Sequence, residues 1–505
     1  PLRATGALLL ALLLATTTLA APAPAIDLRI VGARLVDGTG APARPGELHV
    51  RDGRIVHAGP LGGSAPPAAA RVVDADGRVL APGFVDPHAH GDPLATPAFE
   101  NFVAMGVTTI TLGQDGASPD VDDLGAWLDR VEAQGIVPNL AMFVGHGTLR
   151  SRSGIGRSTD PAPEEIELMA ARLDAALDRT FGLSTGLEYS PGLYAGDAEL
   201  AALARVVGAR DRLIMSHVRN EDDPELEDSL AELIRQGRHA RVHVAHLKSV
   251  YGRGAARGEA ILALLDEARA EGVEITADVY PYTASYTGLS LLFPEWAKTR
   301  EQFEAALPER RDELAAHLRR RVASRNGPGA TLLAAAPWTG MTLAEVAAEL
   351  GRPWEDVLID ELGPDGGSAA YFIMDESLQT VFIADPSVAI CSDGSPTGFH
   401  PRGHGTFARI LETYVAERGV LSLEEAIRKM TSLPAGILGL EDRGVLRVGA
   451  RADLVLFDPA AVHETASWSE PMQHAEGFDL VVVNGRIVRE RGALTGVRPG
   501  RVLTP

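Results

Sequence analysis

Seven polar residues stand out because each follows closely on a short apolar run: His88 and His90, Gln114 and Asp115, then His217, His246 and Asp393. Imidazole nitrogens and carboxylate oxygens are the donors taken by Zn2+ and similar divalent ions. The pair His88-Ala89-His90 is modest evidence by itself, since two solvated loop histidines give the same pattern. Side chains two positions apart in an extended segment do face the same way, so both rings can reach one ion. His217 and His246, taken singly, read more readily as structural histidines. The weight lies in the joint placement. If the apolar runs are strands whose ends converge, these groups surround one point and form a metal centre.

Such convergence needs a barrel. Eight runs are candidate strands, over residues 83–86, 108–112, 139–144, 182–186, 213–216, 242–245, 274–278 and 388–391. Helical patterns lie between most of them, for example over 163–179 and 258–272, and this alternation marks βαβ units. The fold class is α/β, and eight units predict a closed (β/α)8 TIM barrel whose strand ends open on one mouth. The stretch 286–385, ahead of the eighth strand, is oversized. Its helical patterns at 302–324 and 343–350 predict an inserted lid subdomain. The flanks differ in texture. Residues 27–79 carry strand runs at 28–31, 48–50, 55–58 and 79–80, split by Gly and Asp turns. Runs at 452–457, 480–483 and 486–488 repeat this, with Asn484-Gly485 as a hairpin turn. The ends, 26–80 and 441–505, are expected to meet in one small β-sandwich, with the metal-dependent barrel over 81–440 between them.

The 505 residues are 45% hydrophobic, which suits a globular chain and excludes a disordered one. The net charge of −21 argues against a nucleic-acid partner, because such binding rests on Lys and Arg neutralising phosphates. It leaves a small anionic substrate open, since a local cationic cluster can hold one carboxylate. Residues 1–25 read as a secretory signal peptide: Arg3, an apolar run at 7–14, and the small-residue sites Ala21-Pro22-Ala23 and Ala23-Pro24-Ala25. The alternative is an uncleaved anchor. No later run is long enough to span a membrane. A periplasmic or extracellular location is expected, and the oligomeric state stays open. The single cysteine, Cys391, excludes an internal disulfide, and its apolar neighbours make it a buried small hydrophobe rather than a nucleophile.

The segment Gly83-Phe84-Val85-Asp86-Pro87-His88-Ala89-His90 resembles the first-strand signature of the amidohydrolase superfamily. Within it the chain resembles the D-aminoacylase (N-acyl-D-amino-acid deacylase) group. The supporting segments are Gly182-Leu183-Ser184-Thr185-Gly186-Leu187-Glu188-Tyr189, Ser216-His217-Val218-Arg219-Asn220-Glu221, Ala245-His246-Leu247-Lys248 and Asp278-Val279-Tyr280-Pro281-Tyr282. Ser392-Asp393-Gly394, His400-Pro401-Arg402 and Ala452-Asp453-Leu454-Val455 follow in order. The resemblance implies hydrolysis of the amide bond of an N-acyl-D-amino acid by a metal-activated water. Small dipeptides or cyclic amides on the same site are the alternative. A non-catalytic binding protein is a third reading, and the complete His, His, His, His, Asp set argues against it.

The resemblance also implies roles. His88, His90 and Asp393 belong to one metal position, and His217 and His246 to a second. Where the group places a metal-binding cysteine, this chain has Asp115. A carboxylate is harder and can bridge two ions, so one or two Zn2+ ions are expected. Asp393 is the implied catalytic acid–base, taking a proton from water and handing it to the leaving amine. Lys248, Tyr189, Tyr280 or Tyr282, and Arg402 are the implied holders of the substrate carboxylate. Arg219 is expected in a supporting ion pair. His146 and His404 have no assigned role, and His49, His57, His239, His463 and His474 read as ordinary residues.

Overall fold

The structure, a computed structural model, describes residues 26–62 and 67–505. The expected signal peptide over 1–25 lies outside the described residues. Barrel strands occupy Phe84–Asp86, Val107–Leu112, Asn139–Met142 continuing as Val144–Gly145, Gly182–Gly186, Leu213–His217, Arg241–Val244, Ile275–Val279 and Val388–Ile390. Neighbours pair in parallel in that order. The ring closes where the first strand's extension meets the eighth's. There Ala89 bridges Gly394, Asp393 N–H donates to His88 O at 2.9 Å, and His90 N–H donates to Gly394 O at 2.8 Å. The strands are rich in apolar and β-branched residues, and Val107–Leu112 is buried throughout, as a sheet covered on both faces requires.

The helices between strands turn one apolar stripe inward. In Leu226–Gln236 the buried Leu226, Leu230 and Leu233 recur at helical spacing. In Ala255–Ala270 the stripe is Ile261, Leu262, Leu265 and Ala268. Asp123 caps Leu124–Gln134, accepting the Ala126 N–H at 2.9 Å. Burying one leucine contributes about 1.5–3 kcal/mol, so these stripes hold helices too short to persist alone.

Ahead of the eighth strand, Ala284–Gly288, Thr331–Ala334 and Ser368–Phe372 form a three-stranded antiparallel sheet with Ser368–Phe372 in the middle. Helices Arg300–Ser324 and Leu343–Leu350 share a core with it that includes Leu314, Leu318, Val346 and Tyr371. Helix Glu376–Ala384 instead buries Leu378, Phe382 and Ile383 in the barrel core, so the lid sheet and its helices end before it.

Strands from both flanks join one nine-stranded sheet. Ile26–Leu35 pairs with Arg44–Arg51, with the unanticipated strand Ala69–Asp74, and with Val79–Pro82. Val79–Pro82 then pairs with Leu454–Phe457, Leu80 opposite Leu456, which joins the two flanks. Asn484 and Gly485 have φ of 47° and 78°, the two positive values of a two-residue hairpin turn. Among the described residues no helix is long and apolar enough to cross a membrane.

Candidate metal centre and substrate cavity

The barrel mouth gathers the predicted ligands. His90 Nε2 lies 3.1 Å from Asp393 Oδ1 and 3.4 Å from Asp115 Oδ2. His88 Nε2 lies 3.3 Å from Asp115 Oδ1 and 3.7 Å from Asp393 Oδ1. Opposite them, His217 Nδ1 is 3.1 Å from His246 Nε2. Asp115 Oδ1 is 3.2 Å from His246 Nε2 and 3.8 Å from His217 Nδ1. One set of ligand atoms, from His88, His90, Asp115 and Asp393, lies within 4.8 Å of one another, and so does a second from Asp115, His217 and His246. Asp115 is common to both sets, the position of a bridging carboxylate.

Local backbone explains the convergence. Asp115, His246 and Asp393 have φ of 54°, 38° and 49°. The left-handed state redirects a chain just leaving its strand, at a cost of about 1–2 kcal/mol per residue. The Asp115 loop also runs close over the fourth strand: a Cβ on Gly186 would meet Asp115 O at 2.1 Å. Glycine at 186 makes that approach possible. Two buried strand-end carboxylates fix the ligand backbones. Asp278 accepts the His246 N–H at 2.5 Å. Asp86 accepts the Ser392 N–H at 3.0 Å and the His88 N–H at 3.3 Å. Gln114, buried beside them, donates to Pro87 O at 3.3 Å and takes no part in the ligand sets.

The donor set fits a divalent metal. Both ring nitrogens of His88 are buried without a hydrogen-bond partner, and coordination through one of them would offset part of that cost. The cluster also demands positive charge. Burial opposes a charge on His90, but Asp115 and Asp393 outweigh it and lift its pKa to about 9. Burial likewise opposes ionisation of Asp393, yet the Arg402 guanidinium and the surrounding histidines hold its carboxyl well below the usual range. Ionised carboxylates ringed by imidazoles are a zinc ligand set.

A cavity of about 260 Å3 opens on this centre, and an adjoining one of about 710 Å3 shares His90, Asp115 and Tyr189 with it. Lys248 Nζ donates to Glu221 at 2.6 Å and lies 2.7 Å from His246 Nδ1. Arg402 Nη1 lies 2.7 Å from Asp393 Oδ2, with the guanidinium 4.9 Å from the Tyr280 ring centroid. The Tyr280 hydroxyl is buried without a partner, and the Tyr189 ring lies 4.6 Å from that of His217. These four residues line the cavity. Tyr282, the fifth candidate, is a correction: its hydroxyl donates to Glu464 at 2.6 Å, its ring packs on Trp468, and it is absent from the cavity wall. The cause is local. Tyr282 N–H donates to Tyr280 O at 3.1 Å, a three-residue turn that sends alternate side chains to different sides.

Three further residues belong to the site. Glu188 Oε2 lies 3.0 Å from His217 Nε2, Glu221 holds Lys248, and Arg325 reaches the cavity from the lid. Glu188 had a findable signal, since it follows the fourth strand as the ligands follow theirs. Arg219 pairs with Glu232 at 2.9 Å and donates to Leu193 O and Ala195 O, fastening the loop that carries Tyr189. His146 is buried against Glu199 at 2.7 Å, away from the metal ligands. Cys391 is buried in the lid core cluster.

The sequence profile of the amidohydrolase family matches residues 71–489. The chain is 37% identical to the N-acyl-D-aspartate deacylase of Alcaligenes xylosoxydans xylosoxydans, over 96% of each chain. It is 35% identical to the N-acyl-D-glutamate deacylase of the same organism, over 95% of this chain and 96% of the relative. A crystal structure of N-acyl-D-glutamate deacylase from Bordetella bronchiseptica, complexed with zinc and a phosphonate mimic of the tetrahedral intermediate, superposes with a TM-score of 0.82. It is 34% identical and the match covers 95% of this chain and 100% of that one.

Proposed function

We propose, on the premise that this chain belongs to the amidohydrolase family, that it is a zinc-dependent deacylase cutting the amide bond of N-acyl-D-amino acids. His88, His90, Asp115, His217, His246 and Asp393 would hold one or two ions. Zinc bound there supplies a Lewis acid that polarises a carbonyl oxygen and brings the pKa of water toward neutrality.

The chain's own residues do the rest. Asp393 stays ionised beside Arg402, so its carboxylate carries no proton of its own and is free to take one from the attacking water. It then delivers that proton to the amine nitrogen, which leaves as a neutral amine instead of a strongly basic amide anion. Glu221, through Lys248 and against His246 Nδ1 at 3.3 Å, keeps the His246 Nε2 edge turned to the centre. Lys248, Arg402 and the Tyr280 hydroxyl converge in the smaller cavity, where they orient the substrate's α-carboxylate. The larger cavity beyond His90 and Tyr189 takes the acyl group.

The observation that carries this reading is the meeting of four imidazoles with Asp115 and Asp393 on a cavity whose wall presents Lys248 and Arg402. The test is amine release from N-acetyl-D-amino acids, N-acetyl-L-amino acids, dipeptides and cyclic imides by chelator-stripped and zinc-restored protein. D-isomers alone should be cut, and only after zinc is restored. Equal turnover of L-isomers, or full activity in the stripped protein, overturns the assignment.

A further inference from the structure

Three cations line the smaller cavity, and they are not equivalent. Lys248 is matched by Glu221 at 2.6 Å and Arg402 by Asp393 at 2.7 Å. Arg325 has no such match. It ends the lid helix Arg300–Ser324, is 3% exposed, and its Nε is buried without a hydrogen-bond partner. Among the described residues no carboxylate oxygen comes within 4.0 Å of its guanidinium. The nearby Asp222 is engaged by Arg321 at 3.4 Å. A buried guanidinium is normally paired, because leaving it unpaired forfeits solvation with nothing in return.

The surroundings of Arg325 suit an anion. Its guanidinium sits 4.8 Å from the Tyr371 ring centroid, which fixes the orientation of the planar fork. Tyr371 is the cross-strand partner of Ser285, so the two share a face of the lid sheet. Ser285 also lines the cavity, and its hydroxyl is buried without a partner. A guanidinium and a hydroxyl, both lacking acceptors, thus stand on one wall, while the α-carboxylate holders stand elsewhere on the same cavity.

We propose that Arg325, assisted by Ser285, receives a carboxylate on the substrate's side chain, so that the enzyme selects N-acyl derivatives of acidic D-amino acids. This rests on the deacylase assignment above. Arg325 is a specificity residue: it takes no part in bond cleavage and acts through substrate binding. Asp222 on the same cavity makes the opposite preference, for a cationic side chain, the competing outcome.

The test uses the zinc-loaded full chain and compares kcat/KM for N-acetyl-D-aspartate, N-acetyl-D-glutamate, N-acetyl-D-leucine and N-acetyl-D-lysine. At least one acidic substrate should exceed leucine by about 100-fold. Arg325→Met should lower the acidic-to-leucine ratio by more than about 30-fold, mainly through KM, and Arg325→Lys should recover part of it. Calorimetric binding of D-glutamate, a product that does not react further, should weaken by a similar factor in Arg325→Met. Preference for leucine or lysine, or equal loss on all substrates in Arg325→Met, overturns the specificity while leaving the deacylase assignment standing. Failure to cut any N-acyl-D-amino acid removes both.

Discussion

The barrel mouth and the nine-stranded sheet use the same unusual backbone state for opposite ends. In the sheet, positive φ falls on the pairs Asp52-Gly53, Asn484-Gly485 and Arg491-Gly492, each a two-residue turn between antiparallel strands. Polar groups there are satisfied. Asp453 accepts from Asn484 N–H at 2.6 Å and from Asn139 Nδ2 at 3.2 Å, and also pairs with Arg443. At the mouth, positive φ falls on Asp115, His246 and Asp393; Asp115 is followed by Gly116 at 74°, the other two by residues of ordinary φ, and the side chains meet other candidate ligands, Asp115 beside His246 and Asp393 beside His90. Around them His88, Gln114, Tyr280 and Ser285 carry buried atoms without partners. Strain relieved by a turn belongs to architecture, whereas strain beside unsatisfied atoms belongs to a site that acts on something else.

Substitutions at the two places should therefore fail differently. The largest effect is expected for Asp393→Asn, which keeps shape but removes the proton carrier. The kcat of the folded protein should fall about 10^2–10^4-fold, with only a modest drop in melting temperature from the loss of Arg402's charged partner, read by steady-state assay and circular dichroism. A large drop in melting temperature would erase the contrast by making Asp393 architectural. Glu221→Gln comes next. It weakens the support of Lys248 and His246, so zinc affinity or activity should fall about 10–100-fold, measured by competition with a chromogenic chelator. The smallest catalytic effect belongs to Gly485→Ala. A Cβ there would meet Gly53 Cα at 2.7 Å on a residue with φ of 78°. It should cost about 1–3 kcal/mol of stability by denaturant titration, with kcat per folded molecule unchanged. A kcat loss larger than that of Glu221→Gln would show that the sheet tunes the mouth.

The candidate metal ligands were legible because the barrel imposes a simple rule. A polar residue just past an apolar strand faces the mouth, and His88, His90, Asp115, His217, His246 and Asp393 all obey it. The observed strands differ from the expected ones by a residue or so at their ends, for instance Ile275–Val279 against 274–278. Legibility failed where a local turn intervened. Tyr282 looked equivalent to Tyr280 until the hydrogen bond between them turned it toward Glu464. Lys248 does reach the cavity, but through the left-handed turn at His246 and not along a strand, which ends at Val244. The lid sheet escaped notice because Ala284–Gly288 and Ser368–Phe372 mix small and aromatic residues without alternation. Arg325 carries no spacing signal at all. Only the docking of a helix end against the lid sheet brings it to the cavity.

The pairing of Val79–Pro82 with Leu454–Phe457 has a consequence for biosynthesis. The first of these strands leaves the ribosome long before the second, and until then it offers an unpaired edge. Contacts of such wide separation close late and slowly. A chain lacking the segment from Leu454 onward would keep every candidate metal ligand yet leave that edge unpaired.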